Sequence, residues 1–184
     1  AIFEGIYEEE NWNTGLIKIY ENLANDFYYA DPKSLLIFND NHDMSRIFTQ
    51  MKEDISKTKM AVSLMLTLPR IPQILYGTEI LMEDSAKPGD HGLIRTDFPG
   101  GWKNDKSNAF TGHNLENSQL EMQNYLKTLL SFRKNSKAMH EGETLHYAPK
   151  DGIYLLSRKY EDEIVIYIVN KNDKPVNLDT DRFI

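Results

Sequence analysis

The sequence predicts an α/β protein in which consecutive βα units are followed by a separate small antiparallel sheet. Three observations carry this. Up to His140, stripes of apolar residues at helical spacing alternate with short continuous apolar runs. The run Leu35-Leu36-Ile37-Phe38 lies between the turn signal Asp31-Pro32 and a polar cluster, which suits a strand buried on both faces of a parallel sheet. After His140 the period changes, and Ile153 to Tyr160 and Ile164 to Asn170 are β-rich runs joined by the polar tip Glu161-Asp162-Glu163. The expected division is therefore 1–140 for the βα part and 141–184 for the sheet.

The elements follow in order. The first dozen residues, with Glu8, Glu9 and Glu10, have no period and read as an irregular lead-in. Asn13 or Thr14 is a candidate cap for a helix over 14–27, whose stripe is Leu16, Ile19, Tyr20, Leu23 and Phe27. A strand at Leu35–Phe38 comes next, then a helix over 51–68 ended by Pro69, and a second strand, Gln73–Tyr76, running into Gly77. From Gly77 to about Asn108 no period is visible. A stretch of that length is uncommon without a function, and its Pro88-Gly89, Pro99-Gly100-Gly101 and Trp102 suggest an ordered lid. A third helix covers 118–135, and Thr144–Tyr147 and Val176–Leu178 are candidate strands flanking the hairpin.

Composition narrows the function classes. Lysine plus arginine is 21 and aspartate plus glutamate 28, a net charge of −7 without a basic block, which is not the footprint of a general nucleic-acid binder. The absence of cysteine removes disulfides, thiolate metal sites and cysteine nucleophiles. No apolar run reaches the roughly 20 residues that span a bilayer. The chain starts at Ala1 without a leader, so it is expected to be processed, truncated or excised from something longer.

The chemistry concentrates in Phe38-Asn39-Asp40-Asn41-His42-Asp43, directly after a strand. Active sites of parallel α/β proteins lie at the carboxyl ends of strands, where loops converge. A histidine beside an aspartate offers a donor and an anionic acceptor within one hydrogen-bonding radius. In other settings such a triplet is more often a capping loop.

This segment resembles the Phe-x-x-Asn-His-Asp signature of the α-amylase family of glycoside hydrolases, at the end of barrel strand seven. Ile71-Pro72-Gln73-Ile74-Leu75-Tyr76-Gly77-Thr78-Glu79 is similar to that family's strand-eight segment, with Arg70 and Leu75 departing from the usual glycine and tyrosine. Gly89-Asp90-His91-Gly92 to Arg95, then Asp97-Phe98-Pro99-Gly100-Gly101-Trp102, resembles the following loop of the neopullulanase and cyclomaltodextrinase subgroup, in particular of bacterial starch-utilisation neopullulanases. Phe132 to Ala138 looks like the passage from helix eight into the C-terminal β domain.

The resemblance implies the C-terminal part of a (β/α)8 TIM barrel: strands 7 and 8 with helices 6 to 8, followed by a partial antiparallel β domain. It implies a retaining α-glucan hydrolase acting on starch-derived glucans, pullulan or cyclomaltodextrins. Asp43 matches the third acidic residue, which steadies the oxocarbenium-like ring, and His42 the histidine on the same sugar. Asp90 and Arg95 match a sugar-holding loop pair, though their spacing departs from the commoner one, and Arg46 and Trp102 are candidate cleft-wall residues. The nucleophile and the acid/base belong to earlier segments that these residues do not contain, so the chain alone is expected to be inactive.

The subgroup implies a periplasmic or secreted enzyme. No cofactor or metal ligand is expected here, since the family's calcium sites mostly use earlier segments, and calcium in a full-length enzyme stays open. The partner implied is an α-glucan, with self-association of the incomplete barrel expected from its uncovered strand edges. Two rival function classes lack their signatures. A metal-dependent phosphoesterase needs further Asp-x-His and Gly-His-x-His ligands that do not occur. A non-catalytic carbohydrate-binding module would be a sandwich throughout, unlike the helix–strand alternation before His140.

Overall fold

The computed structural model describes residues 2–183. The chain opens with a helix, α1 (Ile2–Tyr7), not the irregular lead-in expected, because Ile2 and Ile6 find buried places on the core. Gly5 lets α1 approach its neighbour, since a Cβ there would stand 2.4 Å from Ile19 Cδ1. That neighbour, α2 (Ile17–Ala24), is shorter than expected and continues as a 3-10 turn, Asn25–Tyr28, with Phe27 exposed. Neither Asn13 nor Thr14 caps it. Glu10 reaches across and its carboxylate accepts the Leu16 N–H at 3.1 Å.

The first βα unit comprises β1 (Leu36–Ile37), α3 (Ile47–Gln50), α4 (Ile55–Thr67) and β2 (Ile71–Pro72). The helix expected over 51–68 starts later, at Ile55, because Lys52 and Glu53 adopt left-handed backbone after the separate turn α3, and Asp54 then caps α4 by accepting the Lys57 N–H at 3.0 Å. The strands pair in parallel, Leu36 opposite Ile71 and Ile37 opposite Pro72, with Ile71 N–H donating to Leu35 O and Gln73 N–H to Ile37 O. The second ladder thus ends where Gln73–Tyr76 was expected to begin, since β1 has already turned into its loop. The expectation of strands buried on both faces also fails. One face packs toward α4, while Leu36 and Ile71 on the other are 56% and 51% exposed.

Beyond β2 the long loop is ordered by short devices. These are a 3-10 turn at Thr78–Ile80, the single turn α5 (His91–Ile94) and a bridge between Asn108 and His113. Then α6 (Asn117–Asn135), opened by a Glu116–Gln119 capping box, packs on α4. A short α7 (Lys137–Glu141) leads into an antiparallel meander of β3 (Glu143–Lys150), β4 (Ile153–Tyr160) and β5 (Glu163–Asn170), in that spatial order. Val176–Leu178 forms no strand.

The meander is not a detached unit. Tyr154, Leu156 and Val169 from its inner face join Ile6, Leu16, Ile19, Val62 and Met65 in one hydrophobic core. No helix of the described residues is long and apolar enough to cross a membrane.

A candidate active site at the ends of two parallel strands

Where β1 ends, the chain divides its polar residues by direction. Asn39 and Asp40 turn inward and are buried; Asn41, His42 and Asp43 turn outward. Asn41 shapes the turn, its side-chain oxygen accepting the Asp43 N–H at 2.8 Å. Asp40 accepts the Ile47 N–H at 2.7 Å and so holds the start of α3. Burial pushes its carboxyl up to about 6, against the opposing pull of that hydrogen bond and of Arg46.

Asp43 is the centre of the outward group. Its Oδ1 accepts from Arg95 Nη2 at 2.6 Å, and its Oδ2 lies 3.2 Å from His42 Nε2. Arg95 also donates through Nε to the His42 carbonyl at 2.9 Å, and its Nη2 stands 3.1 Å from His91 Nδ1. Asp43, His42 and Arg95, read as separate candidates, are thus one cluster joining the two strand-end loops. The Asp43 side chain is 57% exposed, and the cluster is open to solvent.

Two expected residues are placed elsewhere. Arg46 is not in a cleft wall: it is fully buried, and its Nε and Nη2 donate to Ile94 O, at 2.9 and 2.6 Å, and its Nη1 to Tyr76 O. Its guanidinium also lies over the Tyr76 ring, 4.9 Å from the centroid. It ties the loop after β1 to the end of the β2 segment and has no nitrogen left for a sugar. Asp90 does not pair with Arg95, because the two stand at opposite ends of α5. Its carboxylate caps that turn, accepting from the N–H groups of Gly92 and Leu93, and pairs with Lys87 at 2.8 Å. The Lys87 and backbone hydrogen bonds hold it below the usual carboxylate range.

Trp102 is exposed on a tight loop where Asp105 gathers the N–H groups of Gly100 and Trp102. No hydrogen bond or ring contact joins it to the Asp43 cluster among the described residues. Sequence reasoning left Asp84 out altogether. It is buried and bonded to both loops, yet an aspartate in Glu83-Asp84-Ser85 carries no local signal that distinguishes it from solvated charge.

The arrangement presents an exposed carboxylate, steered by an arginine and beside an imidazole, to anything that enters above the strand ends. Such a group accepts hydrogen bonds from hydroxyls. Among the described residues no three His, Asp or Glu side chains gather as a metal site would need.

Comparison with known proteins identifies the family and the fold. Residues 7–138 match the family model of the α-amylase catalytic domain, and residues 144–184 that of the cyclo-malto-dextrinase C-terminal domain. The chain is 24% identical over 159 residues to a cyclomaltodextrin glucanotransferase of Paenibacillus macerans, covering 86% of this chain and 19% of that protein. It is 26% identical over 173 residues to a maltogenic α-amylase of Bacillus acidopullulyticus, covering 90% of this chain and 27% of that protein. Alpha-amylase 3 of Dictyoglomus thermophilum is 31% identical over 153 residues, 74% of this chain and 30% of that protein. The chain therefore spans between 19% and 30% of the length of these relatives.

Among solved structures, the α-amylase of H. orenii superposes with a TM-score of 0.71 at 23% identity, covering 95% of this chain and 37% of that one. The α-amylase of Geobacillus thermoleovorans, solved with acarbose, gives 0.65 at 26% identity, covering 91% and 34%. The two parallel strands are accordingly part of a TIM barrel, and the meander is the start of the β domain that follows it. With residues 7–138 of 184 matched to the catalytic-domain model and the fold in agreement, the chain belongs to the α-amylase family of glycoside hydrolases.

Proposed function

We propose that these residues supply the strand-seven and strand-eight part of the active site of a retaining α-glucan hydrolase. One observation carries the reading: Asp43 is held between Arg95 and His42 at the carboxyl ends of two parallel strands. In this reading Asp43 accepts hydrogen bonds from the hydroxyls of the sugar at the scissile bond, and His42 donates to the same sugar. Contacts that strengthen as the ring gains oxocarbenium character lower the barrier as well as the binding energy. Arg95 donates to one oxygen of that carboxylate and leaves the other beside His42. Retaining chemistry needs a nucleophile and an acid/base about 5 Å apart. Both come from polypeptide outside these 184 residues.

The substrates of this reading are starch-derived glucans, pullulan or cyclomaltodextrins, and the setting is the periplasm or the exterior. The chemistry needs no cofactor from this segment, and calcium in a longer enzyme stays open. The relative solved with acarbose suggests the probe. In a titration of the isotopically labelled chain with acarbose or maltotetraose, the resonances of His42, Asp43 and Arg95 move together, and Asp43→Asn abolishes the response. Unmoved site resonances at saturating sugar overturn the reading, as does hydrolysis of maltotetraose by the 184-residue chain alone.

A further inference from the structure

The Asp43–Arg95 pair joins loops 52 residues apart in sequence, and both side chains lie near half exposure. A pair so placed contributes little to its own geometry, because water screens it and two long side chains must be ordered. Something beneath it has to fix the two backbones.

Asp84 is 1% exposed and sits beneath that cluster. Its Oδ1 accepts the Arg46 N–H at 3.0 Å; its Oδ2 accepts the Ser45 hydroxyl at 2.9 Å and the Gly89 N–H at 2.7 Å. Its own N–H donates to Thr49 Oγ1 at 2.8 Å. One carboxylate thus grips the chain just after Asp43 and again just before α5, which ends at Arg95. The grip continues through Arg46, whose guanidinium holds Ile94 O, the carbonyl next to Arg95.

Only a carboxylate suits the place. Three donors converge on two oxygens, so an amide would turn its NH2 toward at least one of them. Burial alone would push Asp84 up, but the hydrogen bonds it accepts, that from Gly89 foremost, outweigh it and hold it below the usual range. Among the described residues no cationic side chain is hydrogen-bonded to this carboxylate, and its donors are two backbone N–H groups and one hydroxyl.

We propose that Asp84 is the positioning residue of this site: by pinning the loop after β1 to the loop after β2, it sets the Asp43–Arg95 pair. It touches neither substrate nor reacting atoms. The role deepens the glucan-hydrolase reading and rests on it for its meaning, but its test uses no sugar, so the two stand or fall separately.

The test is solvent exchange of guanidinium protons by NMR in the labelled 184-residue chain, comparing Arg95 with Arg158, which is buried between α4 and the sheet and reports on the fold. In Asp84→Asn, Arg95 Nε–H exchanges about tenfold faster, the equivalent of one lost net hydrogen bond, while Arg158 is unchanged. Ser45→Ala removes one of the three bonds and gives a smaller change of the same sign. Unaltered Arg95 exchange in folded Asp84→Asn overturns the proposal. So does equal loss of protection at Arg95 and Arg158, which would make Asp84 a general support of the fold. If Asp84→Asn does not fold, Ser45→Ala decides: faster exchange at Arg95 alone supports the role, and no change overturns it.

Discussion

Aspartates 40, 43 and 84 crowd around one pair of strand ends, and each is held by a different environment. Asp43 faces water, Asp84 is buried among donors, and Asp40 is buried with a single backbone donor on its Oδ2. That difference has a consequence for stability. Asp40 titrates near 6 in the fold and near 3.8 when unfolded, so between those values the folded chain holds the extra proton. Its contribution to stability is therefore greatest below about 4 and is lost as pH rises through 6, a change of about 2–3 kcal/mol. Asp40→Asn, whose amide oxygen still accepts from Ile47, should stabilise the chain by a similar amount at pH 8 and by almost nothing at pH 4. Urea unfolding at the two pH values checks this, and an equal effect at both defeats it. At this scale His42 and Asp43 were legible as candidates because they share one local motif, while Arg95 came from a second motif, and their meeting across 52 residues was not legible. Arg46 and Asp90 were misread because a charged residue in a site loop looks the same whether it faces sugar or holds backbone. For Arg46 the deciding partners are 30 and 48 positions away, whereas for Asp90 they are local, the turn it caps and Lys87.

Among the elements, α4 organises the rest, and its carboxyl end is where the barrel part meets the meander. Arg133 from α6 donates to Leu66 O and Arg70 O, and Arg158 from β4 donates to Thr67 O and Gly142 O. Two cations thus satisfy carbonyls that a helix end leaves free and complement its dipole. Arg158 is fully buried with no acidic partner, and burial followed by the nearness of Arg133 pushes it down to about 10, still charged at neutral pH. Arg158→Ala leaves a cavity and two carbonyls without their donor, so it should cost about 3–4 kcal/mol in chemical denaturation. On the same helix the Tyr167 hydroxyl lies 2.6 Å from Ser63 Oγ and donates to Met60 O at 3.2 Å. Tyr167→Phe should cost only about 1 kcal/mol, the net worth of such a bond. A loss at Arg158 no larger than at Tyr167 would refute this ranking. Elements with long stripes, such as α6, were legible from period alone. Those set by distant contacts were not: α1 packs Ile2 and Ile6 on the core, and Lys171 from beyond β5 donates to Gly5 O and Glu8 O at its end.

At the scale of the whole molecule, one core serves both family matches, yet the face opposite that core is uncovered. Leu36 and Ile71 stand side by side in register and point away from α4, with Phe38 and Tyr76 also exposed nearby. In an eight-stranded barrel such side chains fill the interior in layers. Two strands of two residues cannot enclose them, and both outer edges of the ladder keep free backbone groups. This is also why the sequence reading of a doubly buried strand was right about the residues and wrong about their exposure: the pattern encodes a neighbour that these residues do not supply. Left with this face in water, the chain should pair with a second copy, bringing apolar face to apolar face or strand edge to strand edge. Sedimentation velocity over a concentration series is expected to show a reversible shift from monomer to dimer or larger species. The double variant Leu36→Glu, Ile71→Lys is expected to sediment as a monomer with its melting temperature little changed, since neither side chain belongs to the buried core. A wild-type chain that stays monomeric across the series would show that the exposed face is tolerated as it is. A variant that still associates would move the interface to another surface, such as the outer face of the meander, where Ile164, Ile166 and Ile168 are also exposed.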